Sequence, residues 1–424
     1  MLPAVILFAL TYILMLIFGK YRPYIALTSG IVFVATGMLP LDLVLDSIDF
    51  NVILMIAGTM GLVALFIESH MPALLADLIM EKVPNVMWAA VSLSLFAGVI
   101  SAFVDNVATV LMVAPIALAI CKKLGTNPVP FIIAVAVSSN LQGAATLIGD
   151  TTAIMLGSAL DMSFLEFFRY HGKPGIFFAV ELGAAVSAAI LVILFRHEKG
   201  AIPHTAERTK VTDFFPSILL IAALLLLILA SFVPEKPDET NGLICCILLV
   251  IGLIYNVIRT KKLSSVIEPL RSIDFSTIGI LLGLFLMIGG ITERGVIDAA
   301  ADLLIAAGGG NLFLLYTIIV WASVLISAFI DNIPYVATMI PVIGGIAAHL
   351  GIDPTPLYFG LLSGATLGGN CTPIGASANI TGIGILRREG YEVKNKDFFK
   401  IGIPFTFAAI VPAYLYIWLI YGIR

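Results

Sequence analysis

The feature that most constrains this chain is a long internal repeat. Ser101-Ala-Phe-Val-Asp105-Asn106-Val-Ala-Thr109-Val-Leu-Met-Val-Ala-Pro115 recurs as Ser327-Ala-Phe-Ile-Asp331-Asn332-Ile-Pro-Tyr335-Val-Ala-Thr-Met-Ile-Pro341, with 7 identities in 15 positions, an offset of 226 and no gap. The same offset pairs Gly143 with Gly369, Thr146 with Thr372, Ile148 with Ile374 and Gly149 with Gly375. Upstream, at an offset of 225, Ser47-Ile48-Asp49-Phe50 returns as Ser272-Ile273-Asp274-Phe275, Glu68 as Glu293 and Asp77 as Asp302. Both copies set an Asp-Asn pair inside apolar sequence. A duplicated half with a carboxylate and interrupted helices in matching places is the pattern of a secondary transporter.

The chain is 60% hydrophobic and 12% charged, with a mean hydropathy of +1.08. Uncharged stretches long enough to cross a bilayer recur at residues 2–19, 24–40, 52–67, 214–233, 242–258, 275–292 and 401–423. The expectation is an all-α, polytopic membrane protein. No basic residue precedes the first stretch and no small-residue cleavage site follows it, so it is expected to remain as a span. Cys121, Cys245, Cys246 and Cys371 lie in apolar sequence without metal-ligand spacing, as small core residues do.

Each half offers the same run. Two plain spans lead to a third with an amphipathic tail (69–83 and 294–307). An Asp-Asn-centred stretch follows (84–121 and 310–350), then a Gly-interrupted stretch (128–160 and 354–386) and a last span. Counting the Asp-Asn stretch as a there-and-back excursion gives five crossings per half, an odd number, so the second repeat enters the membrane inverted. Residues 1–195 form the first repeat, 196–213 a polar linker and 214–424 the second repeat. With both termini outside, 18 of the 23 Lys and Arg fall on the cytoplasmic side, the linker and Lys199 among them, and only Arg169, Lys173, Lys236, Arg294 and Arg424 fall outside. The positive-inside rule selects that orientation.

The second arm of the first Asp-Asn stretch, 107–121, has 15 residues before Lys122-Lys123. It would reach about 22 Å into a core about 30 Å thick. Length therefore favours a re-entrant hairpin with Asp105-Asn106 at its tip, against two full helices joined by a tight surface loop. Residues 128–160 are too long for one span and too short for two. Their middle, from Asn140 through Gly143, Thr146, Gly149 and Asp150 to Thr151, is small and polar, as is the stretch from Thr366 through Asn370, Thr372, Gly375 and Ser377 to Asn379. Irregular backbone at membrane depth survives where it lines a cavity or faces protein.

These motifs resemble the ion transporter superfamily: Ser-Ala-Phe-(Val/Ile)-Asp-Asn, Ala-Thr-Leu-Ile-Gly-Asp and Gly-Gly-Asn-Cys-Thr-Pro-Ile-Gly-Ala-Ser-Ala-Asn. Within it they are most similar to the branch of arsenite permeases, the melanosomal P-protein and sodium/proton antiporters, and more distantly to citrate and dicarboxylate carriers. The resemblance covers nearly the whole chain. It implies inverted repeats with two re-entrant hairpins, one broken helix per repeat, a dimerising scaffold and an elevator-like transport domain. It places the hairpin tips at Asp105-Asn106 and Asp331-Asn332. Relatives often carry Pro-Pro-Asn after the Gly-Asp, where this chain has Thr151-Thr152-Ala153, so that asparagine is missing from the first half while Asn379 remains in the second.

Helix N-termini at a break suit an anion, whereas freed carbonyls and carboxylates suit a cation. A carboxylate at membrane depth is costly unless protonated, paired or bound to a cation. The candidate ion or substrate residues are therefore Asp105, Asn106, Thr109, Asn140, Thr146, Gly149, Asp150, Thr151, Asp331, Asn332, Asn370, Thr372, Gly375, Ser377 and Asn379. Asn106, Asp150, Asn332 and Asn379 are the candidate sodium ligands. Glu181, alone in an uncharged span, is a candidate proton relay, while Glu68 and Glu293 are expected at the membrane surface.

Three deep acids and no buried arginine favour a cation-coupled carrier of the cell (inner) membrane, by sodium/proton exchange or proton-driven extrusion. Arsenite or antimonite efflux and sodium-coupled di- or tricarboxylate uptake are the alternatives. A channel remains a competing class. An intramembrane aspartyl protease is disfavoured because position 147 is Leu and the partner Tyr-Asp is absent. No nucleotide-binding motif or His-Glu-x-x-His occurs, so neither an ATP-driven pump nor a metalloprotease is expected. The expected partners are a small inorganic ion or small anion, the bilayer and a second copy of the chain, with no nucleic acid. Sodium or protons act as coupling ions and no cofactor is expected.

Overall fold

The computed structural model describes residues 1–198, 200 and 208–423. Lys199, Arg424 and linker residues 201–207 lie outside the described residues.

The first half comprises α1 (Leu2–Ile17), α2 (Arg22–Ala35), α3 (Phe50–Glu68), α4 (Met71–Met80), α5 (Val86–Ser101), α6 (Asn106–Leu124), α7 (Val129–Gly143), α8 (Thr151–Ala159) and α9 (Ile176–Phe195). The second comprises α10 (Phe215–Ala230), α11 (Thr240–Thr260), α12 (Ile267–Arg271), α13 (Phe275–Glu293), α14 (Val296–Gly308), α15 (Leu312–Ser327), α16 (Asn332–Leu350), α17 (Thr355–Gly368), α18 (Ser377–Arg388) and α19 (Asn395–Ile417). A two-residue β-hairpin, Arg169–Tyr170 with Lys173–Pro174, precedes α9.

The sequence repeat is carried by matched helix signals. Asp49 caps α3 and Asp274 caps α13, Asn85 caps α5 and Asn311 caps α15, each accepting from free backbone N–H groups of the first turn. Gly125 and Gly351 end α6 and α16 in the left-handed conformation, at φ 63° and 62°. Seven of the described helices are long and apolar enough to cross a bilayer, or up to nine if the pairs bent by 117° (α1–α2) and 113° (α14–α15) each count as one span.

Two differences from the sequence expectation are local. Helix α6 runs 19 residues, taking Lys122 and Lys123 into its last turn, where they face the negative end of the helix dipole. It is thus about 28 Å long rather than about 22 Å, nearly a full bilayer core. The breaks are also tighter than the polar stretches suggested, spanning residues 144–150 and 369–376.

The halves interlock crosswise. Helix α13 packs on α2, and α3 on α11. Glycines permit this approach: a Cβ on Gly283 would run into the Ala26 backbone, and one on Gly58 would lie 2.6 Å from the Cys245 carbonyl carbon. Cys245 is fully buried there as a small core residue. Helix α8 packs on α16 of the other half and α18 on α6, so each break meets the opposite hairpin. The interior around α7 and α17 is where both breaks lie.

Candidate functional site

The hairpin tips are helix caps. Asp105 Oδ1 accepts from the backbone N–H of Val107 at 3.0 Å and of Ala108 at 3.1 Å, and Asp331 Oδ1 accepts from that of Ile333 at 3.2 Å. An N-capping acid is the bland role for such a residue. Each uses one oxygen for it and leaves Oδ2 for other partners.

Each tip meets the break of its own half by matching contacts. Thr146 donates its hydroxyl to the Ala102 carbonyl, and Thr372 donates to the Ala328 carbonyl. A Cβ on Gly149 would lie 2.5 Å from the Gly143 carbonyl oxygen, 2.7 Å from that of Ser101 and 2.9 Å from that of Ala102. On Gly375 it would lie 2.6, 2.7 and 2.8 Å from the carbonyl oxygens of Gly369, Ser327 and Ala328. Three carbonyl oxygens thus converge on each glycine, an arrangement that only a residue without a side chain permits.

Across the pseudo-symmetric centre the two halves share one buried network. Asn106 Nδ2 donates to Asn140 Oδ1 at 3.0 Å, and Asn140 Nδ2 donates to the Thr366 carbonyl at 2.7 Å and to Asn370 Oδ1 at 3.1 Å. Asn370 Nδ2 returns to the Val137 carbonyl at 2.9 Å. Asp150 Oδ2 accepts from the Thr152 hydroxyl at 2.9 Å and from Asn332 Nδ2 at 3.4 Å. Asn379 Nδ2 donates to the carbonyls of Gly369 and Thr372, while its Oδ1, fully buried, has no partner among the described residues. The Thr109 hydroxyl in α6 is likewise buried and unpartnered.

A cavity of about 750 Å³ reaches this centre. Its floor includes Asp105, Asn106, Asp150, Thr151, Asn332 and Ser377, and its mouth includes Glu68, Glu268, Arg271 and Asp274. Beside Asp105 and Asp150, a further void of about 10 Å³ has room for roughly one water molecule. Of the remaining candidates, Gly149 lines only that small void, and Thr109, Asn140, Thr146, Asp331, Asn370, Thr372, Gly375 and Asn379 are not among the residues that line the cavity.

One placement differs from expectation. Glu68 lines the cavity rather than only the membrane surface, because α12 folds back over the end of α3. Glu181 accepts from Gln142 Nε2 at 3.5 Å, away from the cavity. No arginine is among the buried residues described, but the partly exposed Arg22 stands beside a tip acid: its Nη1 lies 3.6 Å from Asp331 Oδ2, with side chains 27% and 17% exposed. The bend between α1 and α2 turns this residue inward. Nothing in the repeat pattern marks Arg22. Thr152 and Thr366, whose hydroxyls meet at 3.2 Å, are not among the candidates, although both belong to the polar stretches that mark the breaks.

A fold of interlocked apolar helices around a polar central cavity defines a secondary transporter of the membrane. The model of the CitMHS citrate transporter family matches residues 12–359 and 242–423, and the chain belongs to that family, within the ion transporter superfamily. An uncharacterized transporter of Mycobacterium tuberculosis is 30% identical over 99% of this chain and 98% of its own length. The 46 kDa membrane protein of Mycobacterium leprae is 32% identical over 76% of this chain and 74% of its own. The mouse P protein is 26% identical over 85% of this chain but only 52% of its own. Among solved structures, the YdaH transporter of Alcanivorax borkumensis shares the fold with a TM-score of 0.62, at 13% identity, covering 89% of this chain and 87% of that one.

Proposed function

We propose that the protein is a cation-coupled carrier that exchanges sodium for protons at Asp105 and Asp150. The observation that carries this reading is the charge of the cavity: five carboxylates, Glu68, Asp105, Asp150, Glu268 and Asp274, line it against the single guanidinium of Arg271. Such a wall concentrates cations and repels a citrate or dicarboxylate anion. At the floor, Asp150 directly follows Gly149 and the carbonyls gathered on it, and Asn106 lines the same cavity with a side-chain oxygen, the kind of ligand a hard cation takes. Alternating protonation and sodium binding at one carboxylate suffice for exchange under alternating access.

The cavity mouth adjoins α12 and the start of α13, beside Arg259, Lys261 and Lys262, which the positive-inside rule assigns to the cytoplasm. This supports an inward-open state with both termini outside. The crosswise layer of α2, α3, α11 and α13 is suited to act as the fixed scaffold, and the hairpins with the broken helices as the moving part of an elevator. Two inverted repeats of five crossings, meeting at the linker 196–213, complete this reading.

An anion carrier is the second reading, and it has one specific support. Helices α8 and α18 begin without a side-chain cap, and their first residues, Thr151 and Ser377, line the cavity. Free N–H groups there would suit an oxyanion. Proteoliposomes with internal pH recorded separate the two. Sodium or lithium should drive proton efflux through the wild type, and arsenite or citrate should not. Proton flux that needs arsenite or citrate and ignores sodium would reject the antiporter and install the alternative.

A further inference from the structure

The two halves share their tips and breaks but not their charge. At the offset of 226, Asp150 is matched by Ala376, and Asn379 by Ala153, so one break holds the acid and the other the amide. In the first half, Asp105 and Asp150 both reach the cavity, and among the described residues no basic side chain pairs with either. In the second half the one tip acid, Asp331, already has a cation. Arg22 Nη1 stands 3.6 Å from its Oδ2, and the Ser377 hydroxyl donates to the same oxygen at 3.3 Å.

Arg22 is held in that place. It is the first residue of α2, directly after the turn Gly19–Tyr21, and its Nε donates to the Met15 carbonyl at 3.1 Å. The same hairpin is fastened to α16 by Tyr12, whose hydroxyl donates to the Pro334 carbonyl at 2.7 Å. The pair is largely withdrawn from solvent, so it is screened less than a surface ion pair.

We propose that Arg22 is the built-in cation of the second half. Its guanidinium occupies, beside Asp331, the charge-neutralising place that sodium takes beside Asp105 and Asp150, so each chain exchanges one sodium ion rather than two. This rests on the cation reading of the first-half site. The second half nevertheless keeps an oxygen shell, in the carbonyls gathered on Gly375 and the unpartnered Asn379 Oδ1. Once the guanidinium is removed, a sodium ion finds both charge and ligands there.

The test is equilibrium binding of radioactive sodium to the purified full-length protein, counted per chain. The wild type and Arg22→Lys should bind one ion, Arg22→Gln and Arg22→Ala two, and Arg22→Gln/Asp331→Asn one again. Two ions on the wild type overturn the proposal without any variant. Equal counts on the wild type and Arg22→Gln also overturn it, whatever the count, as does a second ion that survives Asp331→Asn. A wild type that binds none while Arg22→Gln binds one upholds Arg22 as the built-in cation and instead rejects sodium at the first-half site.

Discussion

Asn140 joins the two halves of the site through two hydrogen bonds and holds Asn106 by a third, so its removal tests whether they form one unit. Asn140→Ala strands the Asn106 amide and an Asn370 oxygen, each worth about 1 kcal/mol in a membrane interior. The expected result is a lower unfolding temperature in detergent together with loss of transport; an unchanged melting curve would show that the network carries no stability. Asp105→Asn keeps an oxygen able to cap α6 but deletes a charge, so flux should fall by at least about tenfold while expression and melting hold. Wild-type flux in that variant would remove Asp105 from the ion path. At this scale the sequence was informative wherever the repeat was. Asp105, Asn106, Asn332 and the matched Thr151 and Ser377 do line one cavity, since a polar side chain kept twice in apolar sequence has a shared reason to be there; Asp150, matched by Ala376, was marked instead by its place in a Gly-interrupted stretch. Arg22 was invisible because tertiary folding, not spacing, brings it to Asp331; Thr152, two residues from Asp150, carried no repeat signal because its counterpart is Ala378.

The breaks are held by packing on glycine. Gly149→Ala and Gly375→Ala would each push a methyl group against three carbonyl oxygens, moving the backbone that shapes the site, and should cut transport by about tenfold or more. Gly384, within α18, has open space where its Cβ would stand, so Gly384→Ala is the control and should transport normally. Equal activity in all three would mean the breaks need no fixed geometry. Helix positions were legible to within a few residues because caps, glycines and the Asp-Asn pairs recur at fixed offsets. The length of α6 was not, since lysines usually mark a membrane surface and here continue the helix by a turn. The turn between α1 and α2 was legible, because Gly19, Lys20 and Arg22-Pro23 part the two apolar stretches, but the approach of Arg22 to Asp331 was not.

For the whole molecule, the account predicts a cavity open to the cytoplasm between the α3–α12 edge and the hairpin tips. Single cysteines at Ser276 or Ala64 should react with a membrane-impermeant thiol reagent from the cytoplasmic side, and cysteines in the loop 234–238 only from outside. Reaction of both sets from one side would break the inverted-repeat topology. The inverted arrangement is proposed from parity and charge, whereas the crosswise packing of α2 on α13 and α3 on α11 was not legible, because close glycine contacts give no pattern in a single chain. The central claim is that protons and sodium compete for one carboxylate, and the dependence of sodium affinity on pH tests it most directly. Acidification protonates Asp150 and leaves less of the form that binds sodium, so the apparent sodium dissociation constant of the wild type should rise up to about tenfold per unit as pH falls. Asp150→Asn should abolish that dependence along with most sodium binding. A sodium affinity that is independent of pH in the wild type, or a pH dependence that survives in Asp150→Asn, would contradict the account.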